Sequence, residues 1–379
     1  MALVLNEEQR LLAETAREFL QKQSPVSALR ALRDARDPLG YDPELWRHMA
    51  ELGWASVILP EDVGGLDFGF SGLGVVLQET GRTLAASPLF ATAVVGASAL
   101  LLGGTEAQKA DYLPQVAAGE LTLALALEEG HHHRPHHIAT RLERSGDGFL
   151  LSGEKLFVLD GHSADALLVV ARSAGETSSR DGLSVVLVPR GTAGVDIERT
   201  VIADSRNAAN IHFTEVSIAS NQVIGTEGEA GSWLDDVLDR GRIAMAAEML
   251  GSVEEVFART VAWLKERVQF GVPIGSFQAL QHRAASLLAE LELARSVVLQ
   301  ALTVVDEQPQ QLAIMASLAK ATLNDLGRHA TNEAVQMHGG IGVTDELEIG
   351  FFLKRARTAM QIFGDTGFHK NRYATLCGY

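Results

Sequence analysis

The sequence predicts a multi-domain α+β protein. A helical N-terminal domain over residues 1–120 is followed by a β-rich middle domain over 121–228 and a C-terminal four-helix bundle over 229–379. Three observations carry this reading. Apolar residues in the first third recur at helical spacing. The middle replaces that period with short apolar runs bounded by Gly- and Asp-rich turns. From about Gly228 the helical period returns and persists through stretches long enough to build a bundle.

In the first third, Asn6 can cap a helix whose third residue is Gln9, a capping-box variant. Leu12, Ala16, Phe19 and Leu20 then line one face. Helices follow from Pro43, through FSGLGVVLQETGRTLA, through the apolar run TAVVGASALLLGG, and through GTEAQKADYLPQVAAGE. The strands are LTLALAL, GFLLSG, EKLFVLDG, ALLVVA, LSVVLV and the less regular NIHFTEVSI. Three long helical stretches come next, and ELEIGFFLKRARTAMQIFGD supplies the last helix, with Asp365 at its end.

Of the 379 residues 46% are apolar, so a sizeable core can form, and the net charge of −16 argues against nucleic acid as a partner. Small anionic ligands remain open, because a local cluster of Arg and backbone N–H groups binds phosphate on an acidic chain. The single cysteine, Cys377, allows no internal disulfide and has no histidine nearby to make it a nucleophile. No basic leader and no run of 18 apolar residues is visible. These features predict a cytoplasmic protein without a membrane span.

The triplet Asp365-Thr366-Gly367 spells the catalytic acid of aspartic proteases. It occurs once, in a helical context, where those enzymes place theirs in β-structure, so the protease reading is set aside. His131, His132, His133, Arg134, Pro135, His136 and His137 form a second unusual group. A metal site, contacts to a ligand's phosphates and a solvated polar loop are the alternatives. The segment lacks the helical spacing that would aim the rings together, and no metal is expected.

Two segments carry more information. ERVQFGVPIGSFQALQHRAA (266–285) sets Arg267, Phe270 and Gly271 at the end of a long helix, then a turn and a new helix at Gln278. AVQMHGGIGVTDE (334–346) runs a helix into Gly339 and Gly340. Arg267 offers a planar fork for a diphosphate, Gln336 an amide, and the two glycines a close backbone approach. Taken singly, the residues fit a helix-end ion pair and a helix C-cap equally well. As a pair at this separation, the segments resemble the two signatures of the acyl-CoA dehydrogenase family, closest to the small-subunit branch related to pimeloyl-CoA dehydrogenases.

The resemblance covers the whole chain. It implies a helical, β-barrel-like and four-helix-bundle order of domains, FAD as cofactor, an acyl-CoA substrate in fatty acid or other lipid metabolism, and an electron-transfer flavoprotein as oxidant. It implies a homodimer or tetramer, or a heterotetramer with a related subunit, in which Arg267, Phe270, Gln278, Gln336, Gly339 and Gly340 reach the neighbouring subunit's flavin. Glu129, Phe157, Leu159 and Thr366 fall at further cofactor positions, and Leu159 replaces a threonine whose hydroxyl meets flavin N5. That loss is worth about 0.5–1.5 kcal/mol.

The family reaction removes an α-proton with a carboxylate while the β-hydrogen leaves as hydride. The two places where relatives hold that glutamate are occupied here by Gly364 and Gly241. Asp365, one residue away, is the candidate base. Asp239 and Arg242 are expected to orient the acyl-CoA. The gap leaves two alternatives, a catalytically incomplete partner subunit of a heteromeric dehydrogenase or a flavin oxidase on the same fold.

Overall fold

A computed structural model describes residues 4–379. The first third is helical: α1 (Glu7–Gln23), α2 (Val26–Ala35), α3 (Pro43–Glu51), α4 (Gly69–Thr83), α5 (Ala97–Gly103) and α6 (Glu106–Ala117). The Asn6 capping box forms, with Gln9 N–H donating to Asn6 Oδ1 at 2.7 Å and Asn6 N–H to Gln9 Oε1 at 3.0 Å. Thr105 and Gln108 repeat the device at α6. The apolar run before α5 starts with a π-helical stretch, Phe90–Gly96, every residue of which is buried.

Seven strands follow: β1 (Leu123–Ala126), β2 (Arg141–Ser145), β3 (Gly148–Leu159), β4 (Ala166–Arg172), β5 (Leu183–Pro189), β6 (Val195–Val201) and β7 (Asn207–Ala219). They form one sheet in the order β1-β4-β2-β3-β7-β6, with β5 also on β4. β1 runs parallel to β4, and β3 and β7 pair antiparallel. Buried residues of β4 and β5 meet Phe149, Leu151, Ile211, Phe213 and Val216 in one core. GFLLSG and EKLFVLDG, read as two runs, are one strand, β3. Its register against β7 shifts after Leu151 and again after Lys155, and such bulges bend a strand and re-aim its side chains.

The last part holds α7 (Leu234–Glu266), a short hairpin of β8 (Val268–Gln269) and β9 (Val272–Pro273), α8 (Gln278–Glu307), α9 (Leu312–His338), α10 (Ile349–Ala359) and α11 (Thr366–Leu376). The final expected helix stops short at Ala359, and α11 is a further helix that lies beyond the expected stretch. After that end a turn carries Gly364 at φ +117°, a conformation closed to L side chains, and Asp365 N-caps α11 instead of ending the helix before it.

By compactness the chain forms two units. One comprises the residues through Ala35, Phe70–Ala85 and Arg242–Tyr379, and the other comprises Arg36–Gly69 and Ala86–Gly241. The helical first third is thus shared out between them. The fold is a helical N-terminal region, a curled sheet and a C-terminal helical region, as expected. No helix among the described residues is long and apolar enough to cross a membrane.

Candidate functional site

In the first unit the two signature segments meet through side chains that sequence reasoning left out. α7 ends beside Trp263, and the Arg267 guanidinium lies 5.7 Å from the Trp263 ring centroid. Trp263 stacks on His338, with centroids 5.1 Å apart and planes at 22°. His338 closes α9, and its Nδ1 donates to Ala334 O at 2.7 Å. Burial pushes the His338 pKa down, against that hydrogen bond. Gly339 follows at φ +68°, with nothing within 4 Å of where a Cβ would stand on either Gly339 or Gly340. Gln336 is exposed on the last turn of α9. The structure therefore brings Arg267 and Gly339–Gly340 together through a Trp–His stack. Among the described residues no carboxylate pairs with Arg267, and the buried Trp263 Nε1–H has no acceptor.

The hairpin turns on Phe270 and Gly271, both at positive φ, the geometry of a two-residue turn between twisted strands. Phe270 stands 92% exposed and meets Phe277 edge to face at 6.1 Å. Gln278 is the first residue of α8 and is exposed.

The turn between α10 and α11 hangs from buried polar side chains. Lys320 Nζ donates to Asn324 Oδ1 and Ala359 O at 2.8 Å each, and to Met360 O and Gly364 O at 3.4 Å. Burial, then the nearby Arg242 charge, hold its pKa well below the ordinary lysine value. Arg242, 1% exposed, donates from Nε to Phe363 O at 3.1 Å. A Cβ on Gly364 would stand 2.5 Å from Phe368 Cδ1 and 2.9 Å from His369 Nε2. Asp365 is exposed and N-caps α11, accepting from Phe368 N–H at 2.7 Å on Oδ1. Thr366 Oγ1 is buried without a partner.

In the second unit Glu129 meets Lys155. Lys155 Nζ donates to Glu129 Oε1 at 2.7 Å and to Leu127 O at 3.0 Å. Glu129 also accepts from the N–H groups of Ala139 at 2.5 Å and Thr140 at 3.0 Å. Burial pushes the Lys155 pKa down to about 8, against its pairing with Glu129. Burial opposes the Glu129 charge, yet Lys155 and these donors hold its carboxyl below the usual range. Phe157 sits in the β3 bulge at φ +51°, half exposed, its N–H on Asn210 Oδ1 at 3.3 Å. Leu159 ends β3, partly buried, and Asp239 is buried on α7.

The histidines scatter to separate partners. His133 Nδ1 lies 2.5 Å from Glu128 Oε1, His136 Nε2 lies 2.9 Å from Asp235 Oδ1, and His137 Nδ1 lies 2.9 Å from Ser178 Oγ. No group of three metal-ligating side chains forms among the described residues. The loop is held by Arg172, buried at the end of β4. Its guanidinium donates to the carbonyls of His136 and Ile138 on one loop and of Ala174, Thr177, Ser179 and Asp181 on the other. Arg172 at the end of β4 and Lys320 within the apolar run that opens α9 carry one signal in the sequence, a basic residue next to a run of apolar ones.

Three family models match the chain: the acyl-CoA dehydrogenase N-terminal domain over residues 6–120, middle domain over 124–216 and C-terminal domain over 232–375. The acyl-CoA dehydrogenase IpdE2 of Mycolicibacterium smegmatis is 30% identical over 361 residues, covering 95% of this chain and 96% of that protein. A solved variant of the Tcur3481-Tcur3483 steroid ACAD is 32% identical at a TM-score of 0.88, covering 98% of each chain. An acyl-CoA dehydrogenase of Geobacillus kaustophilus is 26% identical at a TM-score of 0.89, covering 100% of each chain.

Proposed function

This chain belongs to the acyl-CoA dehydrogenase family, and from that premise we propose that it dehydrogenates an acyl-CoA thioester across the α,β bond. FAD, the family's cofactor, supplies the two-electron acceptor for the hydride leaving Cβ. The observation that carries the reading is the convergence of an unpaired Arg267 with the bare backbone of Gly339–Gly340 through the Trp263–His338 stack. An exposed guanidinium and an open glycine backbone suit a diphosphate. Thr366 is a further proposed cofactor residue, at the start of α11. The exposed Phe270, Gln278 and Gln336 are the cofactor's further proposed contacts in this unit, and Glu129, Phe157 and Leu159 are proposed cofactor residues of the other unit.

The α-proton requires a carboxylate. Asp365 is our first candidate, because only its Oδ1 is engaged, in capping α11, and the residue is exposed. Arg242, buried and tied to Phe363 O, and Asp239 keep the substrate-orienting roles. A second reading has one observation in its favour: Gly364 is closed to any side chain, so the chain would serve as a subunit whose partner brings the base. Electron-transfer flavoprotein is the proposed oxidant.

Anaerobic titration of the flavin-loaded chain with acyl-CoA thioesters separates these readings. The first expects absorbance near the flavin's visible band to bleach, and Asp365→Asn to abolish bleaching with FAD still bound. Bleaching in Asp365→Asn removes Asp365 from the role. Bound flavin that no acyl-CoA bleaches in the wild type moves the base to a partner. Rapid recovery of the band on admitting oxygen marks an oxidase.

A further inference from the structure

Phe157 is a residue at odds with its position. Its φ of +51° lies in the left-handed region, which glycine and asparagine enter readily and a bulky L side chain rarely does. Its ring stays 48% exposed, so full burial does not offset the strain. A smaller or polar residue would suit both the backbone and the solvent. The sheet nevertheless holds this conformation from both flanks and from across. Lys155 pairs with Ile211 and Val158 with Ala209, so Leu156 and Phe157 together face Asn210 alone, a bulge of one extra residue. On one flank Lys155 Nζ is tied to Glu129 and to Leu127 O, and Leu156 N–H donates to Glu128 O at 2.7 Å. On the other flank Val158 and Leu159 rejoin the ladder with β7. Between them, Phe157 N–H donates to Asn210 Oδ1 at 3.3 Å. Strained backbone persists only where its surroundings over-determine it, and it collects where ligands bind.

We propose that Asn210 is a positioning residue for the cofactor: its side-chain oxygen holds the β3 bulge in the form that leaves the Phe157 ring outward, as a flat apolar surface for the flavin ring system. The inference rests on the FAD reading above and makes the surface preformed rather than induced. Without the Asn210 acceptor the segment is free to leave the left-handed region. The ring is then presented in only a fraction of molecules, and the apparent affinity falls by that fraction.

The test is the FAD dissociation constant, measured by titrating FAD-depleted chain and following flavin fluorescence. Asn210→Ala removes the acceptor and leaves the Phe157 N–H to water. It is expected to weaken FAD binding about fivefold to thirtyfold, the ratio by which an L residue disfavours the left-handed region. Phe157→Ala removes the ring and also weakens binding. In that background Asn210→Ala should have no further effect, because nothing is left to position. A role confined to the stability of the sheet would act equally in both backgrounds.

Equal affinity in wild type and Asn210→Ala overturns the proposal, and so does an Asn210→Ala effect that persists in full beside Phe157→Ala. A wild type that takes up no FAD at all sinks the cofactor reading beneath it instead. Should Asn210→Ala fail to fold, the unaltered chain labelled with 15N-phenylalanine decides, the Phe157 amide being the resonance lost in Phe157→Ala. That amide must be protected from exchange before FAD is added. If protection comes only with FAD, the cofactor and not Asn210 sets the bulge, and the proposal is wrong.

Discussion

Gly364 shows how one residue can be fixed twice over. Its φ of +117° lies where L side chains rarely go, and the space a Cβ would need is held by Phe368 and His369. Gly364→Ala is therefore expected to destabilise the protein by about 1–3 kcal/mol, the usual worth of backbone strain or overpacking. Urea unfolding checks this; a variant as stable as wild type would show that the turn relaxes freely. By the same argument Gly364→Glu does not restore a base. The absent glutamate was legible from the sequence, where Gly364 stands at the family's position for it. The closure of the position was not, because it depends on Phe368 and His369 of α11, a helix that the apolar period did not reveal. Asp365 changed place for the same reason, from a helix end to a helix start.

Between elements, close approach governs. α4 and α7 cross so tightly that a Cβ on Gly81 would stand 1.9 Å from Glu248 O, and one on Gly251 would stand 1.7 Å from Gln78 O. Ion pairs run through the same region. Glu79 takes both Arg17 and Arg82, and Glu254 takes Arg82, Arg295 and the amide of Gln78. Gly251→Ala gains about 1 kcal/mol of helix propensity. It forces two backbones apart, which costs about 1–3 kcal/mol and more when nothing yields. A net loss of up to about 2 kcal/mol is expected, read from denaturant midpoints against Gly350→Ala, whose Cβ meets open space. Both helices were legible from their apolar period. Their crossing was not, since glycine reads locally as a weak helix former and only the partner backbone explains it. The π-helical turn at Phe90–Gly96 escaped similarly: a run of small apolar residues does not encode a wider ring of hydrogen bonds.

For the whole chain, 48 Asp and Glu against 32 Lys and Arg leave carboxylates in excess. Several acids are held below their ordinary values: Glu333 by its bond to Arg283, Asp345 down to about 2 by Arg33, and Glu129 by Lys155 against burial. A carboxyl with a depressed folded pKa contributes stability that is present above its unfolded value and lost as pH falls through the folded one. The thermal midpoint should hold from neutrality to about pH 5, then fall steadily from about pH 4.5 towards pH 2. Calorimetry across that range tests it, and a midpoint that stays level to pH 3 refutes it. The order of domains was readable at this scale from the change of period alone. The grouping into compact units was not, because it depends on contacts between distant stretches.

The six carbonyls gathered by Arg172 have a mechanical meaning. Two stretches of chain that the sequence keeps some forty residues apart share a single rivet, and neither can loosen without freeing the other. Whatever settles against the histidine-rich stretch is therefore felt in the segment after β4, and changes to either are best judged as changes to one body.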